Sequence, residues 1–133
     1  MNHWLRHLTT IACDIAPVGH ARIAACIVYK NELISVGVCQ YKTHPLQRRY
    51  GRNQHSVYLH AEVDAIIKAQ KRLGSKQDRN RNISLKKCTL YVARVKKLSQ
   101  FSEGFVSGLA KPCDGCNKFI REAGIINIVY TED

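Results

Sequence analysis

The sequence lacks any apolar run long enough to cross a membrane. Its longest such run, Ile23 to Tyr29, is far shorter than the ~20 residues that a membrane-spanning helix needs. The N-terminal segment "MNHWLRHLTTIACDIA" also lacks the pattern of a secretory signal, because polar and apolar side chains alternate within it. These absences predict a cytoplasmic protein without a membrane partner.

Acidic residues are scarce, with 10 Asp and Glu against 21 Lys and Arg, and the formal net charge is +11. Such an excess attracts polyanions and favours a phosphate-bearing or nucleic-acid partner. A basic surface that only confers solubility explains the charge equally well, so charge does not choose the substrate. Internal repeats and low-complexity tracts are absent, and 133 residues suit a single domain over residues 1–133.

A disulfide framework is not expected, although the chain has six cysteines. In a chain of this size without a secretory signal, cysteines favour metal or thiol chemistry. Cys113 and Cys116 stand out because they form a pair in a polar segment that contains proline and glycine. The other four lie in or beside apolar stretches, where a free thiol packs as a small hydrophobic group: Cys13, Cys26, Cys39 and Cys88.

The apolar periodicity predicts the element order α-β-β-α-β-α-β, an α/β layer structure with a mixed sheet. A helical stripe from Trp4 to Ile15 comes first, and two apolar runs that meet at Lys30-Asn31-Glu32 predict a β-hairpin. Residues 41–58 and 96–111 are predicted to be irregular, and long loops of this kind are often functional. The remaining predictions are a helix over about 60–73, a solvated connector at 75–87, a strand over 88–95, a helix over about 113–123 and a strand over 125–130.

Two short motifs carry the chemistry: His60-Ala61-Glu62 and the segment "PCDGC" that ends at Cys116. Each is weak alone, but each opens a predicted helix, and together they offer one imidazole and two thiols. Zinc prefers nitrogen and sulfur ligands in tetrahedral geometry, and no second C-x-x-C is present to close the site. The motifs therefore predict a zinc site formed by His60, Cys113 and Cys116. Its fourth coordination position is open for water, which is the catalytic arrangement.

Glu62 is the candidate catalytic residue. A carboxylate beside a metal-bound water can take its proton and return it to a leaving group. The pattern H-x-E followed by P-C-x-x-C is the signature of zinc deaminases. A zinc-stabilised domain without activity would leave Glu62 unexplained, and a redox role for the two cysteines would leave both His60 and Glu62 unexplained.

The sequence resembles the cytidine/deoxycytidylate deaminase superfamily through "LHAEVDAI", "LYVARV", "KPCDGCNKFI" and "GIINIVY", in that order, over about residues 22–130. The segment "YKTHPLQRRYGRN" is similar to the small deoxycytidylate-deaminase-like proteins of bacteriophages. The resemblance implies a three-layer α/β/α sandwich with a mixed sheet of four to five strands. It also implies Zn²⁺ on the three ligands, Glu62 as the proton shuttle, the backbone around Ala61 holding a pyrimidine, and a homo-oligomer.

The chain departs from the family pattern at three places. Cys39-Gln40 stands where the family has an asparagine that contacts the sugar. Residues 96–111 form an unusually long stretch that is expected to line or cover the pocket. The fifth strand of the family is expected to be missing or supplied from elsewhere.

A cytosine nucleotide is the expected substrate, with dCMP converted to dUMP and ammonia as the first choice. Single-stranded nucleic acid or tRNA, deaminated at cytosine or adenine, is the alternative, because tyrosines and arginines interleave over residues 41–58 and suit base stacking with phosphate contact. A third hypothesis is a non-catalytic nucleotide-binding module. Besides Ala61, the candidate substrate-binding residues are Gln40, Lys42, Arg49, Arg52, Asn53 and Lys111.

Overall fold

The computed structural model describes residues 2–18, 21–50, 58–97 and 104–132. The helices within these ranges are α1 (His3–Asp14), α2 (Pro45–Tyr50), α3 (Ala61–Leu73) and α4 (Asp114–Glu122). The strands are β1 (Arg22–Tyr29), β2 (Glu32–Val38), β3 (Thr89–Lys97), β4 (Phe105–Gly108) and β5 (Asn127–Tyr130). None of the described helices is long and apolar enough to span a membrane.

All five strands belong to one mixed sheet. β1 lies between β2 and β3 and is antiparallel to both. The other edge of β3 is shared, because β5 runs parallel beside its first half and β4 runs antiparallel beside its second half. β4 therefore supplies the fifth strand from within residues 96–111. The prediction that this whole stretch is irregular was wrong, since β3 continues to Lys97 and a four-residue strand follows.

Helices cover both faces of the sheet, which confirms the predicted three-layer α/β/α sandwich. α1 packs on β1 and β3, where Leu8 and Ala12 meet Cys26 and Val95. α3 lies on the opposite face against β2 and β1, and α4 adds Ile120 to the same core. Burial of each large apolar side chain contributes about 1.5–3 kcal/mol, so both layers are held mainly by hydrophobic contact.

Local sequence signals explain where several elements begin and end. The Asn2 side chain caps α1 by accepting hydrogen bonds from the backbone amides of its first turn. Lys30 and Asn31, with φ of 45° and 67°, form the two-residue turn of the predicted hairpin, and Glu32 already belongs to β2. Gly124, with φ of 96°, follows the end of α4 and takes a conformation that favours glycine.

Helix α2 lies inside the region 41–58 that was predicted to be irregular, so this prediction was wrong there. Pro45 occupies the first helical position, where its missing N–H costs nothing. Leu46 and Tyr50, four residues apart, both pack against the large core. The helix is only six residues long, which is too short for apolar periodicity to reveal it.

The connector between α3 and β3 is not simply solvated, as had been predicted. Asp78 is only 3% exposed and accepts from Arg72 at 3.1 Å and from Arg81 at 2.9 Å. Both arginines also pair with Glu32, at 2.9 and 2.7 Å. The hydrogen bonds from Arg81 and Arg72 lower the pKa of Asp78. This network joins the end of α3 to the hairpin.

α3 lies very close to the sheet at Gly37 in β2. A Cβ atom at this position would lie 2.4 Å from both the carbonyl oxygen of Ala61 and the amide nitrogen of Ala65. Beside this contact, the hydroxyl of Ser35 donates to the carbonyl oxygen of Ala65 at 2.7 Å. Glycine therefore lets the first turn of α3, which carries Glu62, lie directly on the sheet.

We expect Gly37→Ala to push the first turn of α3 away from β2. Overpacking of this kind costs about 1–3 kcal/mol, and we expect zinc content to fall with the stability because the start of α3 is displaced. Thermal unfolding and metal analysis test this expectation, with Gly74→Ala as the control. A Cβ at Gly74 would lie 3.3 Å from its nearest neighbour, at the other end of α3. Wild-type stability and zinc content in Gly37→Ala would contradict it.

Candidate metal centre

The structure brings the two predicted motifs together at the starts of two helices. His60 is the N-cap of α3, Cys113 is the N-cap of α4, and Cys116 lies in the first turn of α4. Nδ1 of His60 lies 3.1 Å from Sγ of Cys116 and 3.9 Å from Sγ of Cys113. The three potential ligand atoms all lie within 4.8 Å of one another, so they form a possible metal site.

The donor set and its dimensions fit zinc. With bonds of about 2.0–2.1 Å to nitrogen and about 2.3 Å to sulfur, tetrahedral ligand atoms lie roughly 3.5–3.8 Å apart. The measured separations of 3.1 and 3.9 Å bracket that range. Over the part of the chain that the structure describes, the cluster holds these three residues only. Three protein ligands with a fourth position for another molecule are typical of catalytic zinc.

The pKa values of the two thiols are shifted in opposite directions. Sγ of Cys113 accepts the backbone N–H of Cys116 at 3.4 Å. The hydrogen bonds from Cys116 and His60 lower the pKa of Cys113 to about 4. The hydrogen bond to Cys113, together with burial, raises the pKa of Cys116. A cation between the sulfurs stabilises both thiolates, which makes the pair a metal site rather than two independent thiols.

Glu62 is buried beside the metal ligands, at 5% exposure. Burial raises the pKa of its carboxyl, while the charge of His60 and hydrogen bonds from its own amide and from Cys116 act in the opposite direction. A carboxyl with a raised pKa is better suited to both accept and donate a proton near neutral pH. The position of Glu62 is therefore compatible with the predicted proton transfer.

A second buried carboxylate, Asp64, organises the neighbouring end of β2. Its Oδ2 accepts from the backbone amide of Val38 at 3.2 Å, from Nε2 of Gln40 at 2.9 Å and from Nζ of Lys68 at 3.0 Å. The amide nitrogen of Gln40, a predicted substrate-binding residue, is thus engaged with Asp64. Sequence reasoning missed Asp64, although its place four residues after His60 puts it on the same side of α3.

A cavity of about 500 Å³ opens beside His60 and Ala61. This volume is in the range of small-molecule sites. At its wall the rings of Tyr41 and Tyr58 meet edge to face, with centroids 5.3 Å apart. No lysine or arginine is among the described residues that line it. The remaining walls come from Val18, Ala21, Ile23, Cys39 and Leu59.

Among the residues that the structure describes, the predicted substrate-binding residues are not gathered in this cavity. Ala61 lines it. Lys42 is exposed and follows Tyr41, and its carbonyl oxygen accepts the amide of Leu59 at 2.9 Å, so its backbone borders the cavity wall. The described part of 96–111, expected to line or cover the pocket, contributes no residue to that wall.

Two other predicted substrate-binding residues, Arg49 and Lys111, are described and are not at the cavity wall. Arg49 is exposed on α2, with its guanidinium 5.7 Å from the centre of the Tyr50 ring. Lys111 is exposed just before the cysteine motif. Arg52 and Asn53 lie outside the described residues. Their roles in substrate binding stay predictions.

The family comparison agrees with this geometry. The family model described as the cytidine and deoxycytidylate deaminase zinc-binding region matches residues 2–132. The chain therefore belongs to this family of zinc-dependent deaminases, as the sequence motifs predicted. No curated protein matches the sequence significantly.

Two solved structures with a similar fold are themselves deaminases. The guanine deaminase of Bacillus subtilis has a TM-score of 0.58 and 26% identity, over 99% of this chain and 65% of that chain. This chain thus spans about two thirds of that protein's length. The dCMP deaminase of cyanophage S-TIM5 has a TM-score of 0.57 and 18% identity, over 98% of this chain and 84% of that chain.

Proposed function

We propose that this protein is a zinc-dependent hydrolytic deaminase that replaces the exocyclic amine of a nucleobase with oxygen from water. The observation that carries the proposal is the buried carboxyl of Glu62 beside the three metal-ligand atoms. The adjoining apolar cavity of about 500 Å³ suits the flat, weakly polar ring of a base.

Each residue of the site has its own role in the proposed reaction. His60, Cys113 and Cys116 would hold zinc, which when bound would supply Lewis acidity that lowers the pKa of a water molecule. Glu62 takes a proton from the attacking water and delivers it to the ring nitrogen beside the reacting carbon. Glu62 then carries the second water proton from the newly formed hydroxyl to the exocyclic nitrogen, so that the carbonyl forms as the amine leaves. A carbon–oxygen bond has formed, the carbon–nitrogen bond breaks, and ammonia leaves.

The proposed role of the cavity walls is to orient the base and to exclude water from the reacting atoms. The backbone around Ala61 borders the site and offers polar groups to a base edge, while apolar walls cover its faces. Holding the reacting carbon near the attacking oxygen is a large part of catalysis in such a site. Exclusion of water by a bound base would also strengthen the interaction between Glu62 and the charges that develop during the reaction.

A cytosine nucleotide is the first substrate we propose, with dCMP converted to dUMP. The family description names deoxycytidylate, and the formal net charge of +11 favours a phosphate-bearing ligand. Lys42, Arg49 and Arg52 lie within eleven residues just before the zinc-binding helix, so we propose that this segment holds the phosphate. An arginine can hold a phosphate through two parallel hydrogen bonds.

We expect at least one of Arg49→Ala and Arg52→Ala to weaken turnover of dCMP far more than turnover of deoxycytidine. Charge-assisted hydrogen bonds are worth about 1.5–3 kcal/mol, so kcat/KM for dCMP should fall by roughly tenfold or more. Arg79→Ala, an exposed arginine beyond the opposite end of α3, is the matched control. Equal kcat/KM for nucleoside and monophosphate in the wild-type protein would contradict the phosphate proposal.

Deamination of a free purine base such as guanine is the second candidate. It is favoured by the lack of a cationic side chain among the described residues of the cavity wall. The similarity to a guanine deaminase supports the same candidate. A panel of free bases, nucleosides, nucleotides and oligonucleotides, scored for ammonia release, separates the candidates.

The same panel of compounds also tests whether the protein deaminates nucleic acid. The exposed pair Tyr41 and Tyr58 at the cavity wall suits stacking of a neighbouring base. Reaction of oligonucleotides alone, at rates that fall steeply with salt, would favour this candidate over dCMP. Absence of ammonia from every compound, with binding retained, would favour the non-catalytic binding module.

The homo-oligomer implied by the family resemblance also stays a proposal. Ile126 and Val129 at the β5 edge are exposed, at 73% and 38%. Apolar side chains at a sheet edge support association, because unpaired strand edges favour contact with another chain.

A further inference from the structure

Gln47 is a buried amide on a helix whose other polar side chains face solvent. It is 1% exposed, whereas Arg48 and Arg49 beside it are exposed. Glutamine is seldom fully buried, and burying an amide costs stability unless the group is hydrogen-bonded. The partner of this side chain therefore indicates why it is there.

That partner is the backbone of a metal ligand. Oε1 of Gln47 accepts the N–H of His60 at 3.1 Å. His60 is the N-cap of α3, with φ of −78° and ψ of 153°, and its side chain makes no capping hydrogen bond. The imidazole is turned toward the cysteines instead, with Nδ1 3.1 Å from Sγ of Cys116. Gln47 thus holds the peptide group from which the zinc-binding ring projects.

The helix that carries Gln47 is also fixed to the other ligand-bearing helix. The hydroxyl of Tyr50 donates to the carboxylate of Glu122, near the end of α4. The rings of Tyr50 and Phe119 meet edge to face with centroids 5.2 Å apart. α2 therefore joins the start of α3, where His60 lies, to the helix that bears Cys116.

We propose that Gln47 is a positioning residue for the metal centre. Its hydrogen bond sets the orientation of the His60 peptide, and hence the direction of the imidazole toward the sulfurs on α4. Groups that hold metal ligands from outside the coordination shell typically change metal affinity 10–100-fold when they are removed. The inference rests on the metal site, so it does not depend on which substrate the protein acts on.

The test compares Gln47→Met, which keeps the length but removes the acceptor, with Leu46→Ala. Leu46 packs on the same core from the same helix, so its variant reports loss of packing alone. Zinc affinity is measured by competition with a chelator, and site geometry by the absorption spectrum of the Co²⁺-loaded protein. We expect Gln47→Met to bind zinc about 10–100-fold more weakly, with shifted Co²⁺ bands, and Gln47→Glu to recover most of the affinity. Leu46→Ala should lower the Tm and leave affinity and spectrum unchanged.

Wild-type zinc affinity and Co²⁺ spectrum in Gln47→Met would overturn the proposal. So would an equal loss of affinity in Leu46→Ala, because Gln47 would then act only through packing. If Gln47→Met does not fold, the proposal is tested by hydrogen exchange of the His60 amide in the zinc-loaded wild-type protein. Protection supports the hydrogen bond to Gln47, and exchange as fast as in an open peptide refutes it. Neither readout involves turnover, so failure here is distinct from failure of the proposed deaminase activity.

Discussion

Replacing Glu62 with Gln is expected to lower kcat by ~10²–10⁴-fold while the protein keeps its fold and its zinc. The amide has nearly the same shape as the carboxyl but cannot accept the proton of the attacking water. Because Glu62 serves more than one proton transfer in the proposed reaction, the loss should lie toward the upper end of that range. Glu62→Ala should behave alike. Single-turnover assays with metal analysis on the same samples measure both quantities.

Asp64→Asn is the matched control for this change. Asp64 is also a buried carboxylate of α3, but the described hydrogen bonds of its side chain go to β2, Gln40 and Lys68 rather than to the metal ligands. We expect this variant to lose stability and to keep kcat within about tenfold of the wild-type value, since no proton transfer is removed. An unchanged rate in Glu62→Gln would remove Glu62 from the mechanism.

The second large effect concerns the metal itself. Purified protein should hold about one zinc per chain, and the double variant Cys113→Ser, Cys116→Ser should hold almost none, because two of three ligands lose their soft donor. Each single variant should also lose zinc. Turnover should fall in proportion to the zinc content.

Cys88→Ser is the control for the zinc experiment. Cys88 is fully buried, and its thiol faces the carbonyl oxygen of Ser84 at 3.5 Å, so a hydroxyl can take its place. Its zinc content should match that of the wild type. Full zinc retention in the double variant would show that the ligand assignment is wrong.

The metal site could be predicted from the sequence because its parts are local. Cys113 and Cys116 are three residues apart at a helix start, so one turn places both sulfurs on the same side. The His60-Ala61-Glu62 motif also opens its helix, as expected from the apolar pattern that follows it. The meeting of the two helices was supplied by the family resemblance and by ligand chemistry, not by periodicity.

The features that sequence reasoning missed depend on contacts between distant segments. The neighbours Arg48 and Arg49 suggest an exposed helix face, yet Gln47 is buried because the chain returns past it at His60. Likewise β4 has only four residues, one of them glycine, and it is defined by pairing with β3 rather than by its own pattern. Short elements of this kind carry too few residues for a periodic signal.

The cavity wall was unpredictable for a related reason. Its residues come from β1 and the segment before it, from the segment after β2 and from the residues around the start of α3, and most are ordinary apolar residues. Of the basic residues predicted to bind the substrate, Lys42, Arg49 and Lys111 are exposed, and Arg52 lies outside the described residues. Net charge indicates a preference for anions, but packing decides which side chains line the cavity.

The central claim, hydrolytic deamination at this metal site, is tested most directly by following the oxygen atom. Zinc-loaded protein is incubated with dCMP, and with the other compounds of the panel, in water enriched in heavy oxygen. The account predicts a product in which the labelled oxygen replaces the amine, with one ammonia released per label, and no such product from Glu62→Gln. Zinc-loaded wild-type protein that releases no ammonia from any base, nucleoside, nucleotide or oligonucleotide would contradict it.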